Sequence, residues 1–287
     1  MTDYTLYKEL YLKCFLDDTP EDAEMLFKTV LSKALLLAEY DEEKPISMLY
    51  LMDSGLISIK KVYPFYYLYA ACTDPKYRGM GIMQKLLEKA KKVALENGKL
   101  GVFLKPANAP LFDFYKKTDF LPFFRVLKTS LSAESFIKTA SRQDITKTNE
   151  AFEISMEEWK INRKELLSQI SDLYADFEEK LFSAATDSCY CIGLKSGSGL
   201  VYEKRDNTLL IKEALCLPQN QTQIISLCLE LLEKTNCDNI EVRAPISLNC
   251  ELFKTFGFNE TDFSVLWQEA AFDNEKFNTA YHGFAFD

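Results

Sequence analysis

The stretch Thr73-Asp74-Pro75-Lys76-Tyr77-Arg78-Gly79-Met80-Gly81-Ile82-Met83 constrains this chain more than any other, because two glycines separate an aromatic, β-prone run from a strongly periodic helix. The first N–H groups of a helix lack intrahelical partners, and glycine removes the Cβ atoms that would hold an anion away from them. The junction therefore predicts a strand, a tight turn and a helix N-terminus that together suit a pyrophosphate. The same two glycines would also serve a turn that binds nothing, so the surrounding pattern has to decide.

Two familiar phosphate loops do not fit. A nucleotide P-loop needs GxxxxGK[ST], but after Gly81 the chain reads Ile82-Met83-Gln84-Lys85-Leu86; a dinucleotide fingerprint needs a third glycine where Gln84 stands. A net charge of −9 disfavours a nucleic-acid backbone as the main partner and would suit a cationic one. Eight cysteines are scattered with no CxxC pair, and His282 is the only histidine, which argues against zinc and for thiols acting as small apolar residues in a reducing compartment. No run approaches the roughly 18 apolar residues of a membrane span, and Met1-Thr2-Asp3-Tyr4 lacks the layout of a signal peptide, so a cytoplasmic location is expected.

Periodicity supplies the elements. Leu6, Leu10 and Cys14 share one helical stripe, and Thr19-Pro20-Glu21-Asp22 opens a second helix with a cap, an N1 proline and acidic first-turn residues. Residues 34–38 and 46–51 flank Asp41-Glu42-Glu43-Lys44 as a hairpin, and residues 63–72 form an unusually aromatic third strand. Ile82, Leu86, Ala90, Val93 and Ala94 keep helical spacing up to a stop at Gly98. A short strand at 101–105, a loop at 106–110, a helix at 111–117 and a strand from Phe120 to Thr129 complete the unit.

This arrangement resembles the GNAT N-acetyltransferases. Their acyl-CoA loop reads Arg/Gln-x-x-Gly-x-Gly/Ala at the start of the third helix, where this chain has Arg78, Gly81 and Met83; Met83 departs from the small residue expected and would crowd the pyrophosphate. Their tail, Asn-x-Pro/Ala followed by Phe-Tyr-x-Lys-x-Gly-Phe, is matched by Asn108, Phe114-Tyr115-Lys116-Lys117 and Phe120, with Asp119 in place of the glycine. The element order agrees except for a missing first strand. The resemblance covers about residues 1 to 130 and implies an α/β fold, with a mixed α+β sheet, of the acyl-CoA N-acyltransferase (GNAT) type.

Residues 240–245 and 251–258 echo residues 102–106 and 114–120, with a helix at 224–234 and a strand at 209–217 before them. Yet the junction Leu217-Pro218-Gln219-Asn220-Gln221-Thr222 holds neither arginine nor glycine, and Phe253 replaces the tyrosine. Two tandem copies are therefore expected: residues 1–135 with the intact loop, and residues 136–287 with linker helices and a degenerate copy. The linker is rich in Ser, Thr and Lys over 130–147 and helical over 156–180, with Trp159, Leu166, Ile170 and Leu173 turned inward.

The resemblance also assigns roles. The N–H groups of Gly79, Met80, Gly81, Ile82 and Met83 would hold the pyrophosphate of acetyl-CoA, with Arg78 adding charge or standing as a solvated flank. The backbone of Ala71, Cys72 and Thr73 would pair with pantetheine, and Tyr115 would be the general acid unless it only packs. Asn108 would contact coenzyme or cap its helix, the cap being favoured. The base is not identified; Asp53, Asp74 and Glu39 are positional candidates, and a docked C-terminal segment, 281–287, could present Asp287. His282 reads as a packing or surface residue. The implied activity is transfer of an acetyl group to a primary amine of a small cationic acceptor, without metal. The alternatives are a non-catalytic acyl-CoA-binding module and an aminoacyl transferase of the peptidoglycan-bridge type.

Overall fold

A computed structural model describes residues 4–58, 61–177, 189–269 and 277–283. Two helices lead, α1 (Thr5–Cys14) and α2 (Pro20–Thr29), and the second starts on the expected capping box, in which Thr19 and Asp22 satisfy each other's backbone N–H groups. The hairpin follows as β1 (Leu35–Asp41) and β2 (Lys44–Ser58), and the aromatic run is β3 (Lys61–Thr73). Next come α3 (Ile82–Glu96), β4 (Gly101–Leu104), α4 (Ala109–Lys116) and β5 (Leu121–Ser132). α3 buries Leu86, Leu87, Ala90 and Ala94 against the sheet; each leucine contributes about 1.5–3 kcal/mol by leaving water.

The segment between the halves is more ordered than its composition suggests. β5 runs on to Ser132, whose hydroxyl caps α5 (Ala133–Arg142), and Phe136 of that helix packs on Phe256 at 4.9 Å. After a short β6 (Phe152–Glu153), α6 (Met156–Ile170) buries Trp159, Leu166 and Ile170. The helical expectation through residue 180 fails at Ser171, where the chain becomes extended, and β7 (Tyr174–Phe177) pairs with Ser54–Ile57 of β2. Backbone pairing outweighs local propensity there, because the free edge of β2 offers partners for otherwise orphaned N–H and C=O groups.

The second half contributes β8 (Tyr190–Gly193), β9 (Gly199–Arg205), β10 (Thr208–Leu215), α7 (Gln221–Thr235), β11 (Asn239–Pro245), α8 (Glu251–Thr255) and β12 (Asn259–Gln268). All the sheet strands among the described residues join one mixed sheet in the order β1-β2-β3-β4-β12-β5-β11-β10-β9-β8-β6, with β7 off the path beside β2. The last of the described strands, β12, thus lies between β4 and β5, and β5 lies between β12 and β11. Each half lends its final strand to the other. Helices α3 and α4 cover one face of the first half over a cluster that includes Leu51, Leu68, Leu86 and Tyr115, while α1 and α2 cover the opposite face and α6 packs on β8 and β10 of the second half.

Candidate acyl-donor site

The site begins where β3 and β4 part. They pair in parallel only at Tyr66↔Val102 and Tyr67↔Phe103, after which β3 continues to Thr73 and β4 stops at Leu104. A bulge starts the divergence: Tyr69 faces Tyr50 and Cys72 faces Met48, so β3 carries one extra residue, and Ala70 takes φ +51°. Cys72 and Thr73 remain paired to β2, and their other edge borders the gap that β4 leaves. Ala71 is half-buried and Cys72 buried.

Beyond Thr73 the chain makes a short 3₁₀ turn at Pro75–Tyr77 and reaches α3 through Gly79 and Gly81, at φ +80° and +76°. Both values lie in the left-handed region, which costs an L-residue about 1–2 kcal/mol and glycine nothing. A Cβ on Gly79 would meet nothing within 4 Å, so the loop faces open space. Gly81 is the N-cap of α3 and supplies no side-chain cap. Among the described residues, no hydrogen bond leaves the N–H of Gly79, Met80, Gly81, Ile82, Met83 or Gln84. Six donors at the positive end of a fifteen-residue helix is an arrangement suited to a diphosphate. The Met83 side chain is partly buried and packs against the α3 core cluster.

Arg78 is exposed and donates from Nε to the carbonyl of Thr73 at 3.1 Å, which braces the loop against the end of β3. Asn108 stands at the N-cap of α4, yet its side chain makes no capping bond, so the expected cap is corrected: the chain turns into α4 on Pro110 near its first position, and the exposed amide is left to other partners. Tyr115 lies on α4 with 7% of its surface exposed, its ring edge-on to Phe114 and Phe120 at 5.3 and 5.9 Å. Burial pushes its phenol well above the ordinary value, so it stays protonated through neutral pH.

Of the carboxylates considered as bases, Asp53 is paired with Lys99. Asp74 accepts from the N–H of Lys76 and pairs with Lys13 at 3.2 Å, which together hold its carboxyl below the usual range. Glu39 sits half-buried on the edge strand β1. The aromatic run is mostly core: Phe65, Tyr66 and Tyr67 are buried, and Tyr63 and Tyr69 half-buried.

Asp287 lies outside the described residues, but the segment leading to it docks. Tyr281 exchanges backbone hydrogen bonds with Leu173 and Ala175, and His282 is fully buried, with Nδ1 2.6 Å from Ser264 Oγ. The imidazole is ringed by Tyr67, Phe103, Phe124 and Phe263 at 5.2–5.6 Å, on the α1 face behind the parting of β3 and β4. His282 is thus packed among aromatic rings, within the segment that was expected to dock.

The second half repeats the parting but not the site. β10 pairs with β11 through Ile211↔Val242, and an extra residue at Lys212 follows. Beside it, Arg163 of α6 and Glu213, both fully buried, form an ion pair at 3.0 Å. Gly283 lies against the same carboxylate, so close that a Cβ there would stand 2.6 Å from Glu213 Oε1. No glycine opens α7, so this half lacks the glycine turn that leads into α3 in the first. Among the described residues no cluster of side chains could hold a metal ion, and no helix is long and apolar enough to cross a membrane.

Residues 4–120 match the profile of the acetyltransferase (GNAT) family. In fold, the chain is similar to a conserved Enterococcus faecalis V583 protein of unknown function, a probable N-acyltransferase, at TM-score 0.68 and 13% identity over 93% of this chain and 71% of that one. A GCN5-related N-acetyltransferase from Kribbella flavida gives 0.66 at 11% identity, over 93% and 70% of the two chains. Another from Anabaena variabilis ATCC 29413 gives 0.65 at 17%, over 90% and 68%. No curated protein matches the chain in sequence. The mixed α/β sheet is that of the GNAT fold, and residues 4–120 form a domain of the acetyltransferase (GNAT) family.

Proposed function

We propose that this protein transfers an acetyl group from acetyl-CoA to a primary amine of a small cationic acceptor, at one site per chain built by residues 1–135. The observation that carries this reading is the loop of six unengaged N–H groups opening beside the gap between β3 and β4. Gly79 to Met83 hold the pyrophosphate, Arg78 fixes the loop to Thr73, and the open edge of residues 71–73 aligns pantetheine as an added strand. With the thioester held at the bulge, the amine attacks its carbonyl and gives up its own proton to water, while the C–S bond breaks and Tyr115 gives a proton to the departing thiolate. Residues 136–287 close the sheet through β12 and wall the acceptor side. The acidic balance of the chain suits a cationic acceptor.

Calorimetry with acetyl-CoA, followed by a thiol-release screen over amines, tests the proposal. Micromolar binding with release of free thiol on at least one amine is expected. Failure to bind acetyl-CoA removes it, and binding without turnover on any amine replaces it with a non-catalytic acyl-CoA-binding module.

A further inference from the structure

Two thiols meet at the outer end of the coenzyme strand. Cys14 is the last residue of α1, half-buried, and its Sγ donates to the carbonyl of Thr73 at 3.5 Å. Cys72, buried on β3, directly precedes that carbonyl; Cys14 packs against the core cluster that holds Cys72, and each thiol shifts the other's ionisation. The guanidinium of Arg78 converges on the same oxygen from the opposite element. One thiol is accessible, one is sheltered behind it, and a permanent cation stands alongside. That is the arrangement of an attacking thiol with a resolving partner.

The charges around Cys14 do not all act in one direction. Cys72, as hydrogen-bond donor, and Arg78 favour its thiolate; partial burial, Asp74 and the negative end of α1 oppose it. The balance brings Cys14 down to about 7. Elsewhere burial moves thiols the other way, Cys189 to about 11 and Cys216 to about 12, with Cys191 and Cys228 also raised.

We propose that Cys14 and Cys72 are a peroxide-reactive dithiol whose oxidation crosslinks α1 to the end of β3. Cys14 thiolate attacks one oxygen of hydrogen peroxide, breaking the O–O bond; the sulfur becomes a sulfenic acid and the other oxygen leaves as water after taking a proton. Cys72 sulfur then displaces the sulfenic oxygen, which leaves as a second water with the thiol proton, and the S–S bond forms. Two thiols are oxidised by two electrons and one peroxide is reduced. The product is a covalent bond, so the test does not depend on whether the neighbouring loop binds a coenzyme.

The full chain is treated with a few equivalents of hydrogen peroxide at pH 7 and digested with trypsin without reduction. The expected product is a disulfide joining peptide 14–28 to peptide 62–76, with loss of two free thiols per chain. Cys72→Ser leaves Cys14 at the sulfenic stage, where dimedone traps it, and Cys14→Ser slows oxidation of Cys72 at least tenfold; circular dichroism confirms that each variant is folded. Oxidation that falls first on other cysteines, or dimedone labelling of Cys72→Ser anywhere but Cys14, overturns the proposal. So does recovery of both peptides as free thiols.

Discussion

Asp119 and Gly257 occupy the same left-handed turn in the two halves, at φ +61° and +71°, and after each the next N–H returns to the preceding helix at 3.2 Å, Phe120 to Tyr115 and Phe258 to Phe253. The aspartate that departs from the family's glycine therefore keeps the glycine's backbone. Aspartate tolerates this region better than most residues, and its exposed carboxylate reaches Lys91 only at 3.5 Å. Asp119→Gly should leave stability unchanged or raise it by up to about 1 kcal/mol, whereas Asp119→Val should cost about 2 kcal/mol. Urea denaturation of the two variants checks both signs.

Tyr115→Phe keeps the packing on Phe114 and Phe120 and removes only the hydroxyl. Turnover with a proven amine should fall by roughly 10- to 10⁴-fold while acetyl-CoA affinity changes little. Unchanged kcat would leave Tyr115 as a core residue alone.

Gly81→Ala puts a side chain where the backbone is left-handed and brings a Cβ to 3.3 Å from Gln84 Oε1. The first turn of α3 should distort and acetyl-CoA affinity should drop about tenfold or more by calorimetry, with thermal stability lowered by only about 1–2 kcal/mol. Cys72→Ala, by contrast, should leave that affinity within a few-fold, because residue 72 is expected to serve through its backbone.

Breaking the buried ion pair from one side leaves a charge without its counterpart. Arg163→Met should cost about 3–5 kcal/mol in urea denaturation, and combining it with Glu213→Leu should recover most of the loss.

Alkylation of Cys14 by iodoacetamide should rise with pH and reach half its limiting rate near 7, since the thiolate is the reacting form and its pKa is about 7. Cys189, held up to about 11 chiefly by burial, should still be climbing at pH 9. Peptide mapping after timed labelling separates the two profiles.

Much of the first half was legible because its signals are local. The Thr19-Pro20 cap, the hairpin around Asp41–Lys44, the period of α3 and the glycine turn each depend on neighbours within a few residues, and each element lies where those neighbours put it. What the sequence did not disclose is long-range. Ser171 to Phe177 reads as helix until the edge of β2 supplies a partner, and Ser130 to Lys147 reads as linker until Phe136 finds Phe256. The pairing of Arg163 with Glu213 and the burial of His282 join residues 50 and 18 positions from their partners, Glu213 and Ser264, and no local pattern encodes such distances. Asn108 shows the converse, a favoured capping residue at a capping position whose side chain does not cap.

The placement of β12 between β4 and β5 bears on how the polypeptide comes to be folded at all. A growing chain that has released residues 1–132 from the ribosome holds the whole glycine turn, yet β4 and β5 cannot be joined until residues 259–268 have also emerged. Throughout that interval two strand edges stay unsealed and apt to pair with another nascent copy. Slowing translation across the second half should therefore raise aggregation, and synthesis of the first half by itself should yield insoluble protein.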